Sequence, residues 1–181
     1  MRRWIPAVAL LALVAACDAT VPRPAPSVSA AWAPPPLRLP AIAAGTPCPV
    51  TPPTPASPPG EPVLGDGPVH PVAYYFGHPG TVLRLRPADR HPDGTYEVKV
   101  RWTSAGYRGP VLIRAGRIDG PGTALSAFSY TGEDRDGGHY AVIENDPGDL
   151  PGTTTVSGPG CYAIQADGTT FSTTIVFLAR S

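Results

Sequence analysis

The thiol of Cys17 is the group whose surroundings most clearly predict a chemical modification. The chain opens with Met-Arg-Arg, an apolar run follows from Trp4 to Ala16, and Val14-Ala15-Ala16 places small residues directly before the cysteine. A charged start, a short apolar stretch and small residues at a cleavage site are typical of a secretory signal peptide, and a cysteine at the junction is typical of a bacterial lipobox. The pattern predicts cleavage before Cys17 and attachment of acyl chains such as palmitate to its sulfur.

The same apolar run could instead be a buried or membrane-spanning helix. It holds roughly a dozen residues, whereas a bilayer crossing needs about 20, and Pro6 lies inside it. The lipobox interpretation places the protein at the cell membrane, lipid-anchored on the extracytoplasmic face. Two or three acyl chains make such attachment stable, whereas a single chain would be marginal.

Cys48 and Cys161 are the cysteines that remain once Cys17 carries lipid. An even pair in an oxidising compartment is most simply a disulfide. Cys161 opens a late predicted strand, so the bond would pin the N-terminal segment of the domain. Two free thiols or a metal pair are the alternatives, and the sequence has no CxxC spacing that would support a metal.

Trp102 and Tyr107 are the side chains that could stack on a ligand. Trp102 ends an alternating stretch in which Tyr96, Val98 and Val100 share its face, which favours a place in the hydrophobic core. Stacking of a carbohydrate or peptide on Trp102, with Tyr107 nearby, is the alternative.

Metal binding and nucleophilic catalysis find little support in the residue pattern. The acidic stretch 133–138 lacks the ligand spacing of a calcium loop, so it is interpreted as a solvated hairpin tip. The sequence has no G-x-S-x-G elbow. We therefore predict no catalytic residue, metal or cofactor. Three of the four histidines precede proline, and no two have a spacing typical of zinc sites: His70, His78, His91 and His139.

The charge balance argues against nucleic acid as a partner. The chain has 14 basic and 14 acidic residues, and charged residues make up only 15% of it. No large electrostatic field is therefore available to attract a polyanion.

Proline dominates the sequence that follows Cys17, as in Pro34-Pro35-Pro36. Proline lacks the N–H that helices and sheets need, so this stretch is expected to be extended or disordered. The predicted organisation is a lipoprotein signal peptide over residues 1–16, a lipidated cysteine with a disordered Pro/Ala-rich tether over residues 17–47, and a folded domain over residues 48–181.

Short runs rich in Val, Ile, Tyr, Phe and Thr follow Val63, and Gly, Pro and Asp clusters separate them. Tyr96–Trp102 alternates between apolar and charged residues, which is typical of an antiparallel sheet with one solvated face. The spacing predicts an all-β fold, an antiparallel Ig-like β-sandwich of about 7–9 strands, with Ala166-Asp167-Gly168-Thr169 as the last hairpin turn. The expected strands are 72–76, 81–86, 96–103, 111–115, 124–130, 139–143, 153–156, 161–166 and 171–178.

Two motifs resemble an uncharacterised family of bacterial lipoproteins and secreted proteins. The first is Arg101-Trp102-Thr103-Ser104 with Tyr107-Arg108-Gly109-Pro110-Val111-Leu112-Ile113-Arg114. The second is Pro159-Gly160-Cys161-Tyr162-Ala163-Ile164-Gln165 with Asp167-Gly168-Thr169 and Phe171-Ser172. The resemblance covers roughly Cys48 to the C-terminus. It implies a small Ig-like β domain, often behind a lipobox, with no catalytic residues to carry over.

The expected function is that of a lipid-anchored, non-enzymatic binding or envelope-associated module. The expected partners are the membrane, through the lipid, and a protein or glycan of the cell wall or envelope. The alternatives are a cell-envelope hydrolase with a site built on loops and an accessory subunit of a membrane complex. A concave pocket in which a nucleophile or metal ligands converge would favour the hydrolase.

Overall fold

The computed structural model describes residues 32–43, 45–56, 60–77 and 80–181. Cys17, the predicted signal peptide and the first part of the predicted tether lie outside the described residues. In the described ranges we find no helix with the length and apolar character needed to cross a membrane. The predicted all-β class is confirmed, because the elements are β-strands and two short 3-10 helices.

The strands form two large sheets and one small one. The elements are β1 (Pro53–Thr54), β2 (Val63–Leu64), β3 (Val69–Pro71), the 3-10 helix η1 (Ala73–Phe76), β4 (Val82–Arg84), the 3-10 helix η2 (Pro87–Asp89), β5 (Tyr96–Ser104), β6 (Gly109–Arg117), β7 (Ala124–Phe128), β8 (Glu133–Arg135), β9 (Gly138–Ile143), β10 (Gly148–Val156), β11 (Gly160–Gly168) and β12 (Ser172–Arg180). One sheet has the order β3-β5-β10-β7, the second has the order β4-β12-β11-β6-β9-β8, and β1 pairs with β2. All pairs are antiparallel except β4 with β12.

The two large sheets share one apolar core. Trp102 of the four-stranded sheet is fully buried, and its ring meets Phe128 edge-on at 6.0 Å between centroids. From the six-stranded sheet, the rings of Tyr162 and Phe177 stack at 5.7 Å. Aromatic contacts of this kind add to the free energy gained by burying the ring surfaces. The inner faces of both sheets are therefore dry, as a β-sandwich requires.

The outer face of the six-stranded sheet is covered by an extended segment that we call the N-terminal strap, residues 32–43. Leu39 and Ile42 of the strap pack on Ile118, Cys161 and neighbouring apolar residues of the sheet. The prolines of these residues predict a disordered tether, and the structure differs. In the structure they lie against the domain, because their apolar side chains pack on the sheet and their proline carbonyls accept hydrogen bonds from side chains of the sheet.

Three further features differ from the sequence-based expectations. Residues 73–76 form a 3-10 helix where a strand was expected, because the i to i+3 geometry buries Ala73 and Phe76 together while the chain passes from one sheet to the other. Asp167-Gly168 ends β11 and is not the hairpin turn. The described residues hold more strands than the 7–9 expected, since β1, β2, β3 and β8 are only two or three residues long and too short to produce a recognisable pattern.

Candidate functional site

The predicted disulfide between Cys48 and Cys161 is present, with 5.5 Å between the Cα atoms. It lies on the outer face of the six-stranded sheet, where Cys48 packs beside Leu39 and Ile42. The bond pins the C-terminal end of the N-terminal segment to the first residues of β11, as the position of Cys161 suggested. Lipidation of Cys17 stays a prediction, because that residue lies outside the described part of the chain.

Trp102 and Tyr107 do not offer a stacking surface to a ligand. Trp102 has no exposed area and Tyr107 is 6% exposed. The Tyr107 hydroxyl donates to the carbonyl of Pro110 and accepts a hydrogen bond from the backbone N–H of Thr169 at 3.1 Å. Its ring meets Phe171 edge-on at 5.0 Å. Both aromatic residues therefore hold the sandwich together rather than present a ring to solvent.

The histidines do not converge in the part of the chain that the structure describes. His70 is half-buried on β3, His91 is exposed, and His139 is buried on β9, where its Nδ1 accepts a 3.4 Å hydrogen bond from the N–H of Phe128. His78 lies outside the described residues. In the same ranges no group of three His, Cys, Asp or Glu side chains is placed to hold a metal ion.

A concave surface lies beside η1, and we call it the tyrosine groove: Tyr74, Tyr75, Arg84, Arg86 and Lys99 with the backbone between them. Its volume is about 810 Å³, which is within the range of small-molecule and oligomer sites. Tyr74 is 75% exposed, and its ring meets that of Tyr75 edge-on at 5.5 Å. The groove thus has an accessible aromatic wall.

The 3-10 helix explains how the aromatic wall forms. Ala73 and Phe76 are buried on one side of η1, which turns Tyr74 outward. Gly80 permits the close packing beneath, because a Cβ atom there would lie 2.8 Å from Cγ of Pro53 and 3.0 Å from Cβ of Ala73, and its φ of +98° disfavours any other residue.

The other wall of the groove is cationic. Arg84 extends from β4, Arg86 precedes η2 and Lys99 lies on the outer face of β5. None of the ion pairs found within residues 32–43, 45–56, 60–77 and 80–181 involves these three side chains.

The two carboxylates of the groove are already engaged. Glu61 pairs with Arg101 at 2.8 Å, and Asp89 accepts a 3.2 Å hydrogen bond from the backbone N–H of Arg86. Among the described lining residues, the three cations therefore outnumber Asp89, the one carboxylate that has no ion pair, and the net charge of the groove is positive.

A second cleft has the opposite character. It has a volume of about 600 Å³ and lies around the β8–β9 hairpin and the start of β10. Its lining includes the exposed Tyr130 together with Glu133, Glu144 and Asp149. Its charged lining residues are therefore acidic, and it provides a matched comparison for the tyrosine groove.

Comparison with family models, with curated proteins and with solved structures finds no match for this chain. The family resemblance inferred from the two motifs therefore stays a prediction, and the case for function depends on the geometry of the described residues.

The tyrosine groove is not predicted by any single motif, although two features of the sequence are consistent with it. Arg84 and Arg86 alternate with leucines, which places both on one face of a strand. Tyr74 belongs to an apolar run that was interpreted as a strand, and this hid its exposure. Neither signal shows that the two elements lie side by side, since that depends on the parallel pairing of β4 with β12 and on the position of η1.

Proposed function

We propose that this protein is a lipid-anchored, extracytoplasmic binding module, and that its tyrosine groove holds an acidic glycan of the cell envelope. The observation that carries this proposal is one groove that combines an exposed tyrosine with three cations that form no ion pair with the described residues. An anchor at Cys17 would keep the groove at the envelope, where its ligand is found.

The chemistry of the groove suits an acidic sugar polymer. The apolar faces of sugar rings pack on aromatic rings, and Tyr74 and Tyr75 supply such rings at an accessible edge. Arginine binds carboxylate and phosphate through two parallel N–H groups, and lysine adds a point charge. Because the groove is open, successive residues of a polymer can lie along it. Binding rather than bond cleavage is the activity that this set of side chains supports.

The test uses the mature chain with Cys17→Ser, which keeps the protein soluble. Affinity is measured by calorimetry for β-1,4-linked oligoglucuronate and for a cello-oligosaccharide of the same length. We expect the acidic probe to bind at least tenfold more tightly than the neutral one, and its binding to weaken as salt is raised, since exposed charges are screened. Sugar released from either probe would favour the hydrolase alternative.

Variants locate the site. Tyr74→Ala, and separately Arg84→Gln with Arg86→Gln, should each reduce affinity for oligoglucuronate by about tenfold or more, because few residues dominate most binding sites. Tyr130→Ala is the matched control, since Tyr130 is 88% exposed and lies in the acidic cleft. Equal loss in the control, or equal affinity for the neutral probe, contradicts the proposal.

The anchor is tested separately. Cells are labelled with an alkyne-tagged fatty acid, and the protein is recovered from the membrane fraction. We expect label on the wild-type chain and none on Cys17→Ala, which should remain as precursor or leave the membrane. Equal labelling of both proteins would disprove lipidation at Cys17 and leave the groove test unaffected.

A further inference from the structure

The outer face of the six-stranded sheet contains a buried polar cluster beneath the N-terminal strap. Arg114, Gln165 and Asp167 are 5%, 2% and 0% exposed. Arg114 Nη2 lies 2.6 Å from Asp167 Oδ2, and the same carboxylate accepts hydrogen bonds from Gln165 Nε2 at 2.9 Å and from the Ser172 hydroxyl at 2.6 Å. Buried charges are tolerated only when they are paired and hydrogen-bonded, so this arrangement is rigid and specific.

The cluster contacts the backbone of the strap at three residues between positions 35 and 38. Arg114 Nη2 donates to the carbonyl of Pro35 at 2.6 Å, and Gln165 Nε2 donates to the carbonyl of Pro36 at 3.2 Å. The N–H of Arg38 donates to Gln165 Oε1 at 2.7 Å. Because proline has no N–H, its carbonyl is the only polar group its backbone offers. The cluster therefore presents donors where a run of prolines presents acceptors.

Apolar contacts complete the recognition. Leu39 and Ile42 pack on an apolar patch of the sheet, and Trp32 stacks on Tyr140 with 6.3 Å between ring centroids. Gly116 leaves space for Leu39, since a Cβ atom at Gly116 would lie 2.8 Å from Cδ1 of Leu39 and meet nothing else within 4 Å.

The strap binds the sheet mainly through side-chain contacts and not through the backbone hydrogen bonds of a β-strand. Among the described residues, the strap shares one backbone-to-backbone hydrogen bond with the sheet region, from the N–H of Ile42 to the carbonyl of Ile118 at 2.9 Å. The other polar contacts are made by side chains of the sheet. Such contacts resemble those by which grooves bind extended proline-rich peptides, whose preformed conformation loses little entropy on binding.

We propose that this outer face is a recognition site for an extended, proline-containing peptide, and that residues 32–43 are its intramolecular ligand. Gln165 aligns the peptide by accepting from one N–H and donating to one carbonyl, while Arg114 binds the preceding carbonyl. The site is independent of the tyrosine groove and of any lipid at Cys17.

The experiment removes the strap from the peptide site by substitutions in the strap alone. In the full mature chain with Cys17→Ser, Leu39→Asp with Ile42→Asp should expel the strap and leave every sheet residue unchanged. The two substitutions remove the apolar contacts that Leu39 and Ile42 make with the sheet. A fluorescein-labelled peptide of residues 32–43 is then titrated by fluorescence anisotropy. We expect it to bind the strap variant at least tenfold more tightly than the wild-type chain, in which the internal segment competes.

Two controls test the chemistry of the site. Adding Gln165→Ala to the strap variant should weaken peptide binding at least fivefold. A peptide in which Pro34, Pro35 and Pro36 are all alanine should bind more weakly than the wild-type peptide. Absence of saturable binding to a strap variant that keeps its thermal unfolding transition would overturn the proposal, as would equal binding after Gln165→Ala.

If the strap variant does not fold, the proposal is tested instead by measuring hydrogen exchange of backbone amides in the wild-type chain. An exchangeable ligand opens far more often than the sandwich unfolds. We therefore expect the Ile42 amide, which is bonded to Ile118, to exchange at least 100-fold faster than the Ile164 amide in the centre of β11. Equal protection of the two amides would show that the strap is a permanent part of the fold and would overturn the proposal.

Discussion

The two large sheets share one apolar core on their inner faces but present different faces outward. On the four-stranded sheet, Glu97 and Lys99 of β5 are exposed and the face is solvated. On the six-stranded sheet, Cys161 and Ala163 of β11 are buried on the outward side as well, because the strap covers them. One sheet thus has a single dry face, whereas the other is also dry over the part of its outer face that the strap covers. Burial on both faces requires a cover, and this chain supplies one from its own proline-rich segment.

The largest effect is expected from the inner face that both sheets share. Trp102→Ala removes a fully buried ring and should lower the free energy of unfolding by roughly 3 to 5 kcal/mol. Lys99→Ala, on the solvated side of the same strand, is the matched control and should change it by less than about 0.5 kcal/mol. Urea unfolding measures both, and a Trp102→Ala protein with unchanged stability would show that the ring is not a core residue.

The disulfide on the covered face should have the next largest effect. Cys48 and Cys161 are separated by 113 residues, so the bond removes many conformations from the unfolded chain. Replacing both by serine should destabilise the domain by about 3 kcal/mol, less than the chain-entropy ceiling for a loop of this length. Reduction of the wild-type protein with dithiothreitol should lower the melting temperature to about that of the double serine variant. Non-reducing peptide mapping that finds either thiol free in exported protein would contradict the bond.

Loss of the buried charge pair tests whether water is excluded from the region beneath the strap. Asp167→Asn keeps the size of the side chain but leaves Arg114 without its carboxylate, which should cost roughly 2 kcal/mol. Asp149→Asn, in the exposed pair with Arg101 on the four-stranded sheet, is the control and should cost less than about 1 kcal/mol. Similar small losses at both positions would show that water reaches the region beneath the strap.

The smallest effect concerns His70 on the four-stranded sheet. Burial lowers the pKa of His70 below 6.5, and it outweighs the carbonyls of Gly65 and Leu64 and the charge of Asp66, which act to raise it. At pH values between the pKa of His70 in the folded protein and 6.5, the unfolded chain therefore binds more protons at this residue than the folded chain does. The stability that depends on neutral His70 is fully present above pH 6.5 and decreases as the pH falls. As the pH is lowered from 8 to 5, the melting temperature of His70→Gln should decrease less steeply than that of the wild-type protein. Identical slopes of melting temperature against pH would contradict the assignment.

A strand could be predicted from the sequence most easily where one of its faces is exposed to solvent and the other is buried. Alternation over Tyr96–Trp102 located β5 correctly, because one side is solvated and the other is buried. In β11 the pattern disappears, since both sides are buried, and the strand was placed only by its β-branched and aromatic residues. The upstream part of β10 was missed because it contains Pro151. Pro151 lies just beyond the stretch in which β7 pairs with β10, and its carbonyl still accepts a 2.8 Å hydrogen bond from the N–H of Ser129.

The candidate sites were harder to predict than the strands. The disulfide followed from the parity of cysteines and was confirmed. The tyrosine groove and the polar cluster under the strap are formed by residues far apart in the chain, such as Pro35 and Arg114. Their contacts depend on sheet order and on where a proline-rich segment lies, and no local pattern encodes either.

The disulfide and the strap together set two lengths for the connection between a lipid at Cys17 and the domain. While the strap is docked, the length of residues 18–31 would limit the connection to roughly 45 Å, at about 3.1 Å per residue. Release of the strap would add the residues up to Cys48 and raise this limit to roughly 90 Å, because the covalent bond to Cys161 holds the chain from there on. On the proposed anchor, the domain would therefore have a short and a long reach above the membrane. Occupancy of one peptide site would select between them.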